Sequence, residues 1–248
     1  MKILVCISHV PDTTTRIQFT GDGAELNKSG VTFVINPYDE YGLSKALDMR
    51  EGGVKVESIT VLCVGGPEVE PTLVKALSIG ADDAVRIDIN PTDATYVAAQ
   101  ITAYAKEREF DVIFTGKESI DFNGAIVPGM LAEMLGIPFV SFATHFEVGG
   151  SRKAILHREV DGGYEVIETN FPVVASCQKG IAEWRIPNMR GIMAARKKPL
   201  AVMKPFETQG AWTITKRFDY PAAKSSCQYF KPGEETALAT ALVGKGII

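Results

Sequence analysis

The residues richest in chemical possibility form one run, Gly116-Lys117-Glu118-Ser119-Ile120-Asp121-Phe122-Asn123-Gly124-Ala125-Ile126-Val127. A β-rich stretch, Asp111 to Thr115, enters it through Gly116, and a polar loop then leads into a helix starting near Gly124. N–H groups in the first turn of a helix lack internal partners and carry partial positive charge, so they suit a phosphate. Ser119 and Asn123 offer further hydrogen bonds, while Gly124 and Ala125 let the main chain approach a ligand closely. The spacing matches neither the P-loop nor the glycine-rich dinucleotide fingerprint. A plain strand-to-helix connection, with Asp121 or Asn123 serving only as a cap, is the competing reading.

Two other strand ends carry distinctive residues: Cys6-Ile7-Ser8-His9-Val10-Pro11-Asp12 and Cys63-Val64-Gly65-Gly66-Pro67. In an open parallel sheet, ligands bind beyond the carboxyl ends of the strands where strand order reverses. Neither cysteine has a histidine placed to activate it, because neighbours along a strand point to opposite faces. Both are read as buried thiols. His145 and His157 are read as surface residues, and Asp82-Asp83 as a solvated turn. No catalytic set emerges.

The elements that must position these tips alternate. Ile3 to Ser8, Glu57 to Val64, Ala84 to Ile87, Asp111 to Thr115 and Phe171 to Cys177 read as buried strands. Asp39 to Arg50, Glu68 to Ile79 and Thr92 or Asp93 to Arg108 read as helices, the second stopped by Gly80. Residues 17–34 read as a small hairpin excursion turning at Gly21-Asp22-Gly23. From Phe139 to Asn170 the period changes to two, giving antiparallel strands with a turn at Asp161-Gly162-Gly163. The fold class is therefore α/β: an open, mostly parallel doubly wound sheet with an antiparallel hairpin region. After Cys177 regularity fades. Residues 1–205 are expected to form the α/β domain and 206–248 a C-terminal arm packed on another chain, with a helical segment from Glu234 to Val243.

Composition narrows the classes. The chain has 248 residues, 46 % of them hydrophobic and 23 % charged, enough for a sizeable core. A net charge of −4 argues against a general nucleic-acid surface, which needs a basic excess. No apolar stretch approaches the roughly 20 residues that span a bilayer, so no membrane insertion is expected. The four scattered cysteines form no CxxC pair, so neither a metal site nor a disulfide framework is expected. The amino terminus is too short for a signal peptide, which makes a reducing cytoplasm the expected home.

Five segments in order resemble the beta subunit of electron-transfer flavoproteins: Asn36-Pro37-Tyr38-Asp39-Glu40, Ala76 to Asp82, Gly116 to Asp121, Arg158 to Glu165, and Ile192 to Pro199. The resemblance spans about Met1 to Pro205 and implies an adenine-nucleotide-binding α/β fold without catalytic residues of its own. It implies pairing with an alpha subunit that holds the electron-carrying FAD, and a buried AMP in this chain. Carried over by position, the nucleotide contacts are Cys6, Asn36, Pro37, Tyr38, Asp39, Cys63, Gly116, Ser119, Asp121, Asn123, Gly124, Ala125, Ile126 and Val127. One departure is that Phe122 to Val127 replaces a more acidic, amide-rich stretch of the family.

The resemblance also implies a recognition loop over residues 182–198 that anchors acyl-CoA or other dehydrogenases, with electrons passing on to a quinone oxidoreductase. Met189 occupies the anchoring position, where the family often has leucine followed by proline; here Arg190 follows. A flexible thioether adapts to a pocket while basic neighbours steer an acidic partner. Ile192, Arg196 and Lys197 belong to the same docking set, and Glu159 is a further docking residue. Met189 packed into the chain's own core, or Arg196-Lys197-Lys198 as a solvated charge run, are the competing readings. Two other functions fit parts of the pattern: a bifurcating-type subunit with a second FAD and NADH as donor, and a stand-alone adenine-nucleotide-binding protein.

Overall fold

A computed structural model describes residues 1–150, 152–224 and 227–248. Its strands are β1 (Lys2–Cys6), β2 (His9–Pro11), β3 (Phe33–Ile35), β4 (Ser58–Val64), β5 (Asp83–Ile87), β6 (Val112–Gly116), β7 (Phe139–Gly149), β8 (Lys153–Val160), β9 (Gly163–Asn170), β10 (Val173–Cys177) and β11 (Leu200–Met203). Its helices are α1 (Pro37–Glu51), α2 (Glu70–Ile79), α3 (Ala94–Lys106), α4 (Val127–Leu135), α5 (Met189–Ala195) and α6 (Glu235–Gly244).

Nine strands form one sheet in the order β11-β5-β4-β1-β6-β10-β7-β8-β9. The strands from β11 to β7 run parallel, and β7, β8 and β9 form an antiparallel meander at the far edge. The chain builds outward from β1 to β4 and β5, then returns to place β6 on the other side of β1. Strand order therefore reverses at β1, which is where such a sheet opens a crevice.

Helices cover both faces because the central strands are apolar on both. Ile3, Val5, Ile59, Val61 and Phe114 pack with Leu43 and Leu47 of α1 and Leu73 and Leu77 of α2. Leu4, Leu62 and Ile113 pack on the opposite face with Ile101 and Tyr104 of α3 and Leu131 of α4. Helix ends carry the usual signals. Pro37 opens α1, Asp93 caps α3 by accepting from Tyr96 N at 2.7 Å, and Gly136 closes α4 at φ 67°.

Three expectations need correction. The region after Cys177 is more regular than its sequence suggests, holding α5 and the edge strand β11, which pairs with β5 in register Leu200 to Ala84. Lys198 is no solvated charge: its Nζ donates to the carbonyls of Leu77 and Ala81 at 3.0 and 2.6 Å, tying this return to the end of α2. Asp82 is not a free turn residue either. It forks with Arg50 and accepts from Ile59 N at 2.8 Å; burial pushes its carboxyl up, but these partners outweigh it and hold it below its ordinary value.

Residues 206–220 lie against the domain, and the described remainder ends in α6, which buries none of its side chains. No helix among the described residues is long and apolar enough to cross a membrane.

Candidate functional site

Alternation along β1, β4 and β6 sends Cys6, Leu62, Val64 and Thr115 to the α3–α4 face at their carboxyl ends. These four side chains floor a cavity of about 1350 Å³. Ala94, Val97 and Ile101 of α3 form one wall, residues 118–122 and 124–128 another, and the hairpin excursion between β2 and β3 a third. The floor is apolar except for the Thr115 hydroxyl, which is buried and has no hydrogen-bond partner among the described residues. An unmet buried hydroxyl costs about 1–3 kcal/mol, which a ligand's polar atom would relieve.

Asn36 and Asp39 fix the tips around this floor. Asp39 accepts from Ser8 N through Oδ2 and from Gly116 N through Oδ1, both at 2.7 Å, so one buried carboxylate joins the ends of β1 and β6. Burial pushes its pKa up to about 7 even though these N–H groups favour the charged form. Asn36 donates from Nδ2 to Glu118 O at 2.8 Å and accepts from Ile120 N at 3.2 Å, holding the loop after β6. Gly116 is obligatory here. A Cβ at this position would lie 2.4 Å from Asp39 Oδ1 and 2.7 Å from Tyr38 Cβ.

The loop itself differs from expectation. Helix α4 starts at Val127, three residues after Gly124, because Pro128 fits a first turn and what precedes it does not continue the helix. Asn123 and Ala125 instead adopt left-handed backbone at φ 49° and 51°. Asn123 N donates to Ser119 O at 2.8 Å, whereas the N–H groups of Gly124, Ala125 and Ile126 donate to nothing among the described residues. Left-handed residues with free N–H groups are the kind of backbone that can take an anion, by a route other than the helix start expected from the sequence.

Of the residues expected to bind a nucleotide, Cys6, Asp39, Gly116, Ser119, Asp121, Gly124, Ala125, Ile126 and Val127 line the cavity. Asn36, Pro37, Tyr38, Cys63 and Asn123 do not. Asn36 acts through the loop it holds, and the Tyr38 ring lies 4.7 Å beneath Lys117 Nζ. Cys63, 2 % exposed, turns its thiol into the α1–α2 face, one residue out of phase with the floor. Burial raises the thiols of Cys6, Cys63 and Cys177 away from thiolate reactivity. The sequence reading missed Thr115, Val64 and His9; side-chain parity along β4 and β6 would have found the first two. His9 stacks on Phe33 at 4.4 Å and hydrogen-bonds Thr72 through Nδ1 at 2.7 Å, and burial lowers its pKa, keeping a neutral ring in the wall. Among the described residues, no group of three His, Cys, Asp or Glu side chains is placed to hold a metal.

The expected docking residues divide. Met189 begins α5 instead of lying in a loop; Asn188 caps that helix by accepting from Gly191 N at 2.9 Å. Met189 is 72 % exposed, which excludes packing in the chain's own core. Ile192, Arg190, Arg196 and Lys197 are exposed alongside it, and so are Trp184, Ile186 and Met193, which the sequence reading passed over. Arg185 forks onto Asp48 and Glu51 of α1, anchoring the entry to α5. Gly191 lets α5 sit on α2, since a Cβ there would be 2.2 Å from Ser78 O. Glu159 is not gathered with this set. It accepts from Gln178 at 3.0 Å just past β10, towards the other edge of the sheet.

Fold and cavity together define an open α/β protein with a large cavity at its topological switch point. Comparison with known sequences then gives the family. Residues 25–207 match the Electron transfer flavoprotein domain. The chain is 36 % identical over 206 residues to "Electron transfer flavoprotein subunit beta" of Bacillus subtilis (strain 168), covering 81 % of this chain and 77 % of that protein. It is 34 % identical over 227 residues to the protein of the same name from Syntrophomonas wolfei, covering 91 % and 88 %. It is 30 % identical over 206 residues to "Caffeyl-CoA reductase-Etf complex subunit CarD" of Acetobacterium woodii, covering 82 % and 78 %. The chain belongs to the electron-transfer flavoprotein beta-subunit family.

Proposed function

We propose that this chain is the nucleotide-holding, dehydrogenase-docking subunit of a heterodimeric electron-transfer flavoprotein, working in the cytoplasm. Its alpha partner would hold the FAD that carries the electrons. This chain's cavity would hold AMP, and α5 would present Met189 to acyl-CoA or other dehydrogenases, with a quinone oxidoreductase as acceptor. The observation that carries this reading is the convergence of an apolar floor, a buried unpaired hydroxyl and free N–H groups on one cavity. A flat base suits the apolar floor, and a phosphate suits the loop of Gly124 to Ile126.

The residues do no bond chemistry in this account. Asp39 and Asn36 orient the main-chain donors, the floor and α3 exclude water, and FAD supplies redox chemistry when bound in the complex. A second FAD in this cavity, with NADH as donor, is the other reading. The volume of about 1350 Å³ favours it, being above the roughly 300–1,000 Å³ of common ligand pockets. Acid extraction and chromatography of the purified heterodimer separates the two: one FAD with one AMP supports the first, two FADs the second. An extract with FAD alone would overturn both.

A further inference from the structure

The chain between Phe206 and Tyr220 leaves β11 and runs from α3 to the hairpin excursion, fastened at three points. At the first, Gln100 of α3 donates to Phe206 O at 2.9 Å and accepts from Phe206 N at 2.8 Å. The second is Asp93, whose two carboxylate oxygens have separate work. Oδ1 caps α3, while Oδ2 accepts from Trp212 N, Thr213 N and Thr213 Oγ1 at 2.8, 2.9 and 3.2 Å. At the third, Phe218 N donates to Gly23 O at 2.8 Å, and Phe19 of the hairpin packs on Phe218 and Tyr220 with ring centroids 5.1 and 5.0 Å away. Gly23 permits this approach, because a Cβ there would meet Phe218 O at 2.9 Å.

The anchors belong to α3 and the hairpin, the elements that wall the cavity. Asp93 lies between Pro91 and Ala94, and Phe19, Ala24, Glu25 and Leu26 of the hairpin line the cavity as well. Phe218 is the one lining residue, among those described, that comes from beyond Pro128. The segment thus bridges two walls and places one aromatic ring over the space between them. The second and third fastenings are exposed or partly exposed polar and aromatic contacts, of the kind that opens locally without unfolding a core, whereas the first rests on fully buried Gln100 and fixes the base of the segment.

We propose that residues 206–220 are a hinged roof over the cavity and that Asp93 is the positioning residue that latches it, so that the latch paces release of the bound nucleotide. The proposal rests on the nucleotide reading of the cavity. It adds a link that reading lacks: the exposed α6 that follows the roof is a handle through which a partner chain, by holding the arm, would keep the roof down.

Asp93→Asn tests the latch in the intact heterodimer, because asparagine still caps α3 through its oxygen but turns an N–H group towards the arm's own donors. Phe218→Ala tests the far anchor without touching α3. Release of bound AMP, followed by exchange against labelled AMP, should be roughly tenfold faster in Asp93→Asn, the loss expected for charge-assisted hydrogen bonds, and faster than wild type by a smaller factor in Phe218→Ala, which loses only the aromatic packing on Phe19. Melting of the nucleotide-free complexes should be unchanged. Wild-type release rates in both variants would overturn the roof. Limited trypsin cleavage at Lys216 and Arg217 reads the roof without ligand: both variants should be cut faster than wild type, and equal cutting would overturn it. A wild-type complex that binds no AMP while its arm still shows latch-dependent cleavage would refute the nucleotide reading and leave the roof standing.

Discussion

The cavity and the α5 face lie at opposite ends of the sheet and are built by opposite means. At the carboxyl ends, a fully buried pair, Asn36 and Asp39, grips main-chain N–H and C=O groups, so the surface offered to a ligand is backbone held from behind. Near the amino ends, α5 runs into β11 beside the last turn of α2, and it offers exposed side chains: Trp184, Ile186, Met189 and Met193. Only its base is fixed, by Arg185 on α1 and by Gly191 against Ser78. Backbone donors select a small polar group by geometry, whereas exposed thioethers and aromatics select another protein by area and adapt to it. In the proposed function, that separation would let a dehydrogenase dock without disturbing the nucleotide.

That contrast breaks most visibly at Met189. Met189→Asp should slow electron transfer from a dehydrogenase to the heterodimer by roughly 30-fold, about 2 kcal/mol for a docking hot spot. Because the side chain is exposed, nucleotide content and melting temperature should not move; loss of either would mean that the two regions are not separable. Gly116→Ala attacks the other end. The added carbon meets Asp39, Tyr38 and Asn36 within 3.0 Å, and an overpacked junction of this kind costs about 1–3 kcal/mol. A lowered melting temperature with loss of AMP, but unchanged dehydrogenase binding, is the expected pattern. Gly191→Ala should displace α5 from α2 at a smaller cost, since an exposed seven-residue helix can shift as a unit. It should weaken docking in surface-binding assays while AMP stays in place.

The last effect is a pH dependence. Asp39 has its native pKa raised to about 7 from an ordinary 3.8. A raised carboxyl favours the folded state below its unfolded pKa, and this contribution is lost as pH rises from about 4 through 7. Asp39→Asn has no such proton. Its stability relative to wild type should therefore improve between pH 5 and about pH 7 and level off above that in denaturant titrations. A constant difference across that range would show that Asp39 does not titrate there.

Legibility in the sequence followed the same divide. Continuous apolar runs such as Ile3-Leu4-Val5 and Val112-Ile113-Phe114 fix strands that are buried on both faces, and the glycines mark where strands turn into loops. The cavity's outline was readable for that reason. Carry-over by position from the family puts Cys63 among the ligand contacts, whereas side-chain parity along β4 turns its thiol towards α1 and α2, and the same parity along β6 sets Thr115 on the floor. The start of α4 was read early because Gly124 and Ala125 resemble a helix entry, whereas left-handed backbone at Asn123 and Ala125 is invisible to periodicity. Helix α5 and strand β11 escape a sequence reading because they span only seven and four residues, the first between Pro187 and Pro199 and the second between Pro199 and Pro205, too short for a period to register. Their order comes from tertiary partners, Arg185 with α1 and Lys198 with α2, which no local pattern announces.

The central claim is met most directly by a crystal structure of the heterodimer purified with its own nucleotide. Difference density should show a purine ring against Cys6, Leu62, Val64 and Thr115, with a phosphate beside the N–H groups of Gly124, Ala125 and Ile126. A hollow filled by this chain's own side groups, with AMP absent or bound elsewhere, would contradict it.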